Sequence, residues 1–286
     1  MIVRFLTMEK ELNRRLNSVG SSRIRARWVW KYWDEADEWM IGEKTDVIIF
    51  QKVYTKTLIY QFDCIKIFDI CDPDWLEPRP VFETIRQCDA VSCATQPLVD
   101  YIKKFVKDKP VVLIPDRVDL EEHKPVKKKH EGRAKSVIWF GYSHNFPYLP
   151  KTFDYLLEHG LHLTIVADKN LMFPKQYESL RHSFRKYEYP EIHQEIIKND
   201  IVLLPAGTDI RAQYKSNNKK LTSWALGMPV ATTPEELERF LDPDERNKEA
   251  KMRMKYVKKH YDVRKSVGEY KQLVSEIIRK KRAKIG

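Results

Sequence analysis

Three cationic side chains, each four residues from the next, mark the segment of the sequence best suited to chemistry. Arg211, Lys215 and Lys219 follow an apolar run typical of a buried strand and lead into a predicted helix. Asn217 and Asn218 add amide donors between them. In open α/β sheets, a loop of this kind at the carboxyl end of a parallel strand binds phosphate groups at the following helix N-terminus. The segment therefore predicts a site for a phosphorylated small molecule; a solvated basic loop is the alternative.

More polar side chains follow the strand-like run SVIWFG, which ends at Gly141. Ser143 and His144 come directly after this run and could supply further hydrogen-bond donors to the same ligand. A surface histidine is the alternative interpretation of His144. We expect all three residues to lie at the carboxyl end of a parallel strand, where such ligands bind.

Short apolar runs alternate with amphipathic stretches along the whole chain, which predicts βαβ units and parallel sheets. The first half contains five such runs, and the pattern restarts after a charged stretch at 121–135. We therefore predict an α/β protein of two Rossmann-like domains facing each other across a cleft, closed by C-terminal helices. The predicted boundaries are 1–120 for the first domain, 121–135 for a linker and 136–286 for the second domain with its basic helices.

The net charge of +11 is concentrated in the second half, because residues 1–120 carry 19 Lys or Arg against 19 Asp or Glu. The basic residues cluster in His123–Lys135 and in the tail beginning at Arg246. This asymmetry indicates contact with an anionic membrane surface or with DNA. A solvated helix face with a charged chain end is the alternative.

The composition is typical of an ordered protein, with 12% aromatic residues. No apolar run approaches the roughly 20 residues that a transmembrane helix needs, and Met1 leads into a strand-like run instead of a signal peptide. We expect a cytoplasmic protein, with contact at the membrane periphery as a further expectation. The four cysteines lack a C-x-x-C pair, and we expect buried free thiols, with a disulfide or metal site as the alternative.

Two passages of the sequence resemble the GT-B glycosyltransferases, especially the retaining group that includes sucrose and glycogen synthase-like enzymes. CDAVSCATQPLVDYIKKF followed by KPVVLIPDRVDLEEHKP is similar to their passage from the first domain into the linker. SVIWFGYSHNF and the stretch from NDIVLLP to GMPVATT are similar to their donor domain. The resemblance covers nearly the whole chain and implies transfer of a sugar from a nucleotide diphosphate sugar, with UDP-sugar as the expected co-substrate and no separate cofactor or metal.

The resemblance also assigns residues of the donor site. Lys219 matches a lysine that lies eight residues before the glycine of the Gly-x-Pro-Val turn, whereas Thr222 stands where many relatives have a ribose-binding glutamate. Tyr189 lies where relatives accommodate the nucleobase, with core packing as its alternative. Arg211 and Lys219 are expected to stabilise the leaving diphosphate as catalytic residues. The expected donor-binding residues are Gly141, Ser143, His144, Tyr189, Lys215, Asn217, Asn218 and Thr222.

In the first half, GSSRIRARW resembles a glycine-containing loop that faces the cleft in this fold. The implied acceptor-binding residues are Ser21, Ser22, Arg23, Arg25 and Asp69. Asp72 follows a predicted strand in FDICDPDW and is a candidate general base or a partner for positioning cations. Capping of a turn is the alternative for these aspartates.

The sequence therefore predicts a metal-independent glycosyltransferase whose acceptor is a glycan, a lipid-linked sugar or a modified DNA base. The resemblance favours retention of the anomeric configuration. The competing hypothesis is a catalytically inactive GT-B-like protein that binds a nucleotide sugar or nucleic acid, because fold alone does not fix function.

Overall fold

The computed structural model describes residues 1–9, 12, 19–54, 59–124 and 128–283. The chain divides into two compact units. Unit 1 comprises 1–119, 210–217 and 262–286, and unit 2 comprises 120–209 and 218–261. Residues 125–127 of the predicted linker and 284–286 of the basic tail lie outside the described residues. No described helix has the length and apolar character required to cross a membrane.

The sheet of unit 1 contains six described strands in the order β2-β1-β3-β4-β5-β6, and the pairs with a described register are parallel. Its central strands are apolar on both faces because helices cover both sides of such a sheet. The run VIIFQ of β3, for example, is buried along its whole length. The strands are β1 Val3–Thr7, β2 Ala36–Glu38, β3 Val47–Gln51, β4 Ile65–Ile70, β5 Ala90–Cys93 and β6 Val111–Leu113.

The helices of unit 1 include one with an irregular centre. It runs through Gly20–Ser22, a π-helical turn Arg23–Arg27, and Trp28–Trp30. Helix Gln96–Phe105 is capped by Thr95, whose side chain accepts from Leu98 N–H. Further helical segments among the described residues are Asp74–Leu76 and Ile210–Tyr214, both 3-10 helices, and the α-helices Val81–Arg86 and Arg264–Arg282.

The last helix, Arg264–Arg282, belongs to unit 1, whereas the sequence analysis grouped it with the second domain. Its Tyr270 is fully buried, and the Tyr270 hydroxyl donates to Asp69 at 2.9 Å. Arg117 donates from two nitrogens to the carboxylate of Glu269, at 2.6 Å each. These contacts join residues more than 150 positions apart, so the local sequence pattern holds no sign of them.

The sheet of unit 2 contains five described strands in the order β11-β10-β7-β8-β9, again with parallel pairing. Val137 and Leu163, neighbours across β7 and β8, are fully buried in its core. The strands are β7 Ser136–Gly141, β8 His162–Ala167, β9 His182–Lys186, β10 Ile201–Leu203 and β11 Val230–Ala231.

Several helices of unit 2 begin with a recognisable cap. The Asp242 side chain accepts from two N–H groups of helix Pro243–His260, and Thr233 caps helix Pro234–Arg239 in the same way. The other α-helices are Phe153–Glu158, Ile192–Lys198 and Asn218–Ala225, and the 3-10 helices are Ser143–Tyr148, Pro150–Thr152 and Lys175–Tyr177.

The described part of the predicted linker, 121–135, belongs to unit 2. Ala134 is buried in the core of that unit, and the buried Arg246 donates to the carbonyl oxygens of Glu131 and Gly132. His130 N–H donates to the Asn247 side chain. This charged segment, which lacks apolar periodicity, is therefore held in place by hydrogen bonds between its backbone and the side chains of Arg246 and Asn247.

The predicted elements correspond closely to the observed ones, including all ten strand-like runs. The short strand β2 and helix Val81–Arg86 were not predicted. Strand β2 consists of Ala-Asp-Glu, which gives neither an alternating nor a continuous apolar signal. The four cysteines are free thiols, and Cys71, Cys88 and Cys93 are buried.

Candidate functional site

The strand order of unit 2 defines a crevice at the carboxyl ends of β7 and β10. The chain proceeds outward from β7 to β8 and β9, then returns to the opposite side of β7 to form β10. Connections leave these two neighbouring strands in opposite directions, which opens a crevice at the sheet edge where ligands bind in α/β proteins. Gly141 ends β7, and Leu203 ends β10.

Lys219 and Gly141 meet at this crevice. A Cβ atom added to Gly141 would collide with Lys219 Nζ, so the lysine depends on the missing side chain for its position. The ammonium also lies 5.7 Å from the ring centroid of Trp139 and 6.0 Å from that of Phe140. The lysine belongs to the first turn of helix Asn218–Ala225, where N–H groups have no intrahelical partner. A cation and N–H donors are thus brought together beside a glycine.

Ser143 and Asp168 connect the loops after β7 and β8. The backbone N–H of Ser143 donates to Asp168 Oδ1 at 2.6 Å, and its hydroxyl lies 3.3 Å from Oδ2. Burial opposes ionisation of Asp168, but these hydrogen bonds outweigh it and lower the pKa of the carboxyl. The His144 ring stacks on Tyr142, with centroids 5.7 Å apart. The hydrogen bonds to Asp168 hold the loop after Gly141 in place.

The remaining predicted donor residues have different surroundings. Thr222 is partly exposed and lies three residues after Lys219, hence on the same helix face. Tyr189 is buried, with its hydroxyl bonded to Glu122 and its ring packed edge-on against His193 at 5.2 Å. This is the core-packing arrangement. Asn217 is exposed and is the last residue of the segment assigned to unit 1.

Arg211 and Lys215 belong to unit 1, whereas Lys219 belongs to unit 2. Arg211 Nη1 pairs with Glu77 Oε1 at 3.0 Å, and Lys215 Nζ pairs with Asp72 Oδ1 at 3.2 Å. Each cation is therefore paired with a carboxylate of the loop that follows β4. Of the predicted residues, the structure brings Lys215 together with Asp72.

Packing also holds segment 210–217 against unit 1. The Tyr214 ring meets Trp75 edge-on at 5.2 Å and Tyr101 at 5.9 Å, and its carbonyl accepts from the Thr95 hydroxyl at 3.1 Å. Ser216 donates to Asp116 Oδ2 at 2.5 Å. These contacts explain why the segment is assigned to unit 1 although the chain on both sides of it belongs to unit 2.

Asp72 lies between two lysines. Lys52 Nζ is 2.7 Å from Asp72 Oδ2, and Lys215 approaches the other oxygen. Burial alone would raise the pKa of Asp72, but the charges of Lys52 and Lys215 outweigh it and lower that pKa to about 2. A carboxylate with so low a pKa is a weak proton acceptor near neutral pH. The geometry suits the positioning of cations better than general base catalysis.

The predicted acceptor residues form a buried polar network in unit 1. Arg25 donates to both oxygens of Asp69, at 2.5 and 3.0 Å, and to Asp116 at 3.1 Å. Asp69 also accepts from Ser92 at 2.6 Å and from Tyr270. Burial lowers the pKa of Arg25, but the charges of Asp69, Tyr270 and Asp116 reverse this effect and raise it well above its ordinary value.

The neighbouring serines and Arg23 lie beside the switch point of the unit 1 sheet, where β1 lies between β2 and β3. The Ser22 hydroxyl donates to Gln51 Oε1, at the end of β3, at 3.1 Å. Arg23 is buried, and Ser21 is partly exposed. Of the predicted acceptor residues, Ser21 is therefore the most accessible to a ligand.

Sequence analysis missed Lys52, Asp116 and Ser216. Asp116 follows β6 within the quoted IPDRVD passage, and a carboxylate at a strand end was an available signal. Lys52 directly follows β3 and adopts a positive φ of 54°, which the sequence does not indicate for lysine. Within the described ranges, no group of three or more His, Cys, Asp or Glu side chains could hold a metal ion.

Comparison with solved structures shows that the chain has a GT-B glycosyltransferase fold. HepE from Anabaena, solved with UDP and glucose, has a TM-score of 0.70 at 11% identity, over 96% of this chain and 100% of HepE. An alpha-glucosyltransferase solved with UDP and a 13-mer DNA containing a HMU base gives 0.66 at 11% identity, over 96% and 99%. AviGT4, a glycosyltransferase involved in avilamycin A biosynthesis, gives 0.60 at 10% identity, over 96% and 97%. No protein-family model and no curated protein matches the sequence.

Proposed function

We propose that the chain is a glycosyltransferase that moves a sugar from a UDP-sugar to an acceptor. The observation that carries the proposal is the pairing of Lys219 with Gly141 at the crevice of unit 2, beside a helix N-terminus. The fold likeness supports the reaction class, and the presence of UDP in the HepE and alpha-glucosyltransferase structures supports UDP as the leaving group. The crevice supplies what a diphosphate requires, namely a cation, N–H donors and space.

Lys219 would stabilise the charge that develops during transfer. The bond between the anomeric carbon and the diphosphate oxygen breaks, a bond to the acceptor hydroxyl oxygen forms, and the proton of that hydroxyl passes to the departing diphosphate. Negative charge then grows on the diphosphate, where the ammonium and the N–H groups at Asn218 are already oriented. Gly141 leaves room for the Lys219 ammonium at the strand end because it carries no side chain.

Ser143, His144 and Thr222 complete the proposed donor site. Ser143 is held by Asp168 at the end of the neighbouring strand, and Thr222 shares a helix face with Lys219. A threonine hydroxyl can bond a ribose hydroxyl, but it offers one oxygen where a glutamate would offer two. We therefore expect weaker ribose recognition than in relatives that carry the glutamate.

We propose that unit 1 binds the acceptor and that its ion pairs position the site. The ion pair of Arg25 with Asp69 would hold the helix that carries Ser21 and Ser22 in place. These two charged side chains bond to each other within the protein, so we assign them a positioning role. Asp72 would hold Lys52 and Lys215 in place. Under this proposal Arg211 and Lys215 fasten segment 210–217 to unit 1, and Lys219 carries the diphosphate chemistry.

A transfer assay tests this proposal most simply. Release of UDP from UDP-glucose and related donors would be measured for wild type, Lys219→Ala and Lys220→Ala. Loss of a preoriented charge donor is expected to reduce turnover by about 10²–10³-fold in Lys219→Ala. Lys220→Ala, changed at the next residue of the same helix, should retain wild-type turnover. Saturable UDP binding with no turnover for any donor and acceptor pair would favour the catalytically inactive alternative.

The exposed cations of the closing helices support an anionic acceptor, either a lipid-linked sugar or modified DNA. Lys251, Lys255 and Lys258 are exposed on helix Pro243–His260, and Arg279 is exposed on the last helix. Deleting residues 279–286 should spare hydrolysis of the donor and weaken use of an anionic acceptor, since exposed charges act over about 10 Å at moderate salt. Unchanged use of that acceptor would show that residues 279–286 do not contribute to acceptor binding.

A further inference from the structure

A basic cavity lies at the amino ends of the unit 2 strands, at the sheet edge opposite the proposed donor site. Ser136 begins β7, His162 begins β8, and Arg181 immediately precedes β9. The proposed donor site lies where β7 and β10 end. The cavity therefore cannot be part of that site.

The lining of this cavity is strongly cationic. Its volume of about 420 Å³ falls within the range of small-molecule sites. None of the eight described lining residues is acidic, and five carry a basic or imidazole side chain. Those five are Arg133, Lys135, His159, His162 and Arg181.

Hydrogen bonds hold four of these five side chains around the opening. Arg181 donates to the carbonyl of Gly160, a residue whose positive φ of 62° favours glycine. Arg133 Nη2 lies 3.3 Å from His159 Nδ1, and His162 Nε2 lies 3.1 Å from Ser183 Oγ. The cations are partly preorganised, which reduces the entropy lost when they bind an anion.

The acidic groups nearby leave an excess of positive charge. Glu238 lies 3.5 Å from His159 Nε2 and also accepts from Tyr155, while Asp200 accepts from the backbone N–H groups of Lys135 and Ser136. Burial lowers the pKa of His162, and the charges of Arg181, His182 and Arg185 lower it further.

We propose that this cavity binds a small multivalent anion of the diphosphate class, independently of the proposed transferase site. Of the three permanent cations, two are guanidinium groups held by hydrogen bonds, and such groups suit the several oxygens of a diphosphate. The source is either free inorganic diphosphate or the phosphate chain of a metabolite such as a nucleotide, and both present the same chemistry to the cavity.

Calorimetry with inorganic diphosphate at about 50 mM salt tests the proposal, since low salt preserves interactions between exposed charges. The variants are Arg181→Gln and Lys135→Gln, with Lys186→Gln as a control at an exposed lysine that ends β9, at the opposite edge of the unit 2 sheet. Loss of a charge-assisted contact should raise the diphosphate Kd about tenfold in each cavity variant, and the control should match wild type. A parallel titration of ADP and UDP into Lys219→Ala, which lacks the lysine of the proposed donor site, separates the two sources, because a nucleotide ligand would bind more tightly than free diphosphate.

Two further measurements keep the test decisive. Lys219→Ala should retain binding that depends on Arg181, which separates this cavity from the proposed donor site. In NMR titrations, saturating diphosphate should raise the pKa of His162 because a nearby anion favours the imidazolium. Absence of binding, equal weakening in Lys186→Gln, or an unmoved His162 pKa would each overturn the proposal.

Discussion

Lys215 and Lys219 lie four residues apart, yet the structure uses them in different ways. Lys215 pairs with Asp72 in unit 1, alongside the pairing of Arg211 with Glu77. Lys219 lies in unit 2 against Gly141 and the rings of Trp139 and Phe140. Their spacing in the sequence predicted one shared site, whereas the tertiary contacts place Lys215 in an ion pair of unit 1 and Lys219 beside Gly141 in unit 2.

The same contrast extends to the two sheets. The carboxyl edge of the unit 1 sheet holds charges that neutralise one another, as in the buried set of Arg25, Asp69 and Asp116. In unit 2 the corresponding edge presents a glycine and a lysine at a helix N-terminus. Substitutions of charged residues in unit 1 should therefore change stability, and substitutions at the unit 2 crevice should change ligand binding.

The largest effect is expected for Asp69→Asn. Breaking a buried ion pair by removing one charge costs roughly 3–5 kcal/mol, because the remaining guanidinium keeps its desolvation cost. Urea unfolding monitored by circular dichroism would measure the loss. Glu43→Gln, which breaks the exposed pair with Arg4, should cost less than about 1 kcal/mol. Similar losses in the two variants would remove the structural role assigned to the buried network.

Gly141→Ala tests whether a substitution at the unit 2 crevice changes ligand affinity without changing stability. The new methyl group must displace Lys219 Nζ, which is the end of a flexible side chain, so folding should be nearly unaffected. We expect the UDP Kd to rise about tenfold, which corresponds to roughly 1.4 kcal/mol. Calorimetry and a melting curve on the same sample would check both expectations. Unchanged affinity would separate Gly141 from the donor site.

The pH dependence of stability tests the ion pairs of Asp72. Its folded pKa, about 2, lies below the ordinary value of 3.8, so ionisation stabilises the fold. The advantage of wild type over Asp72→Asn should be complete above about pH 4 and should decline as the pH falls towards 2. Urea unfolding at a series of pH values would measure it. A difference that stays constant from pH 6 to pH 3, within about 0.5 kcal/mol, would contradict this assignment.

The smallest effect is expected for Lys215→Ala. This lysine is 46% exposed, and an exposed ion pair contributes about 0–1 kcal/mol. UDP affinity should stay within about twofold of wild type, since the account gives the side chain no contact with the nucleotide. Equilibrium dialysis with labelled UDP would measure the Kd. A larger change in Kd would show that Lys215 contributes to UDP binding.

The sequence predicted the two parallel sheets because each buried strand is a short apolar run bounded by turns, as in VIIFQ and HLTIVA. It also located the glycine that ends β7 and the helix that begins near Asn218. It could not place segment 210–217 or helix Arg264–Arg282 in unit 1. Those assignments depend on contacts such as Ser216 with Asp116 and Tyr270 with Asp69, which join residues 100 and 201 positions apart.

We propose that Lys219, and not Lys215, binds UDP in unit 2. Calorimetric titration of UDP into wild type, Lys219→Ala and Lys215→Ala measures this directly. A charge-assisted hydrogen bond contributes about 1.5–3 kcal/mol, so we expect saturable binding in wild type and Lys215→Ala, and a Kd at least tenfold higher in Lys219→Ala. UDP binding that is retained in Lys219→Ala and lost in Lys215→Ala would overturn the assignment of UDP binding to Lys219. Absence of UDP binding by the wild-type protein would overturn it as well.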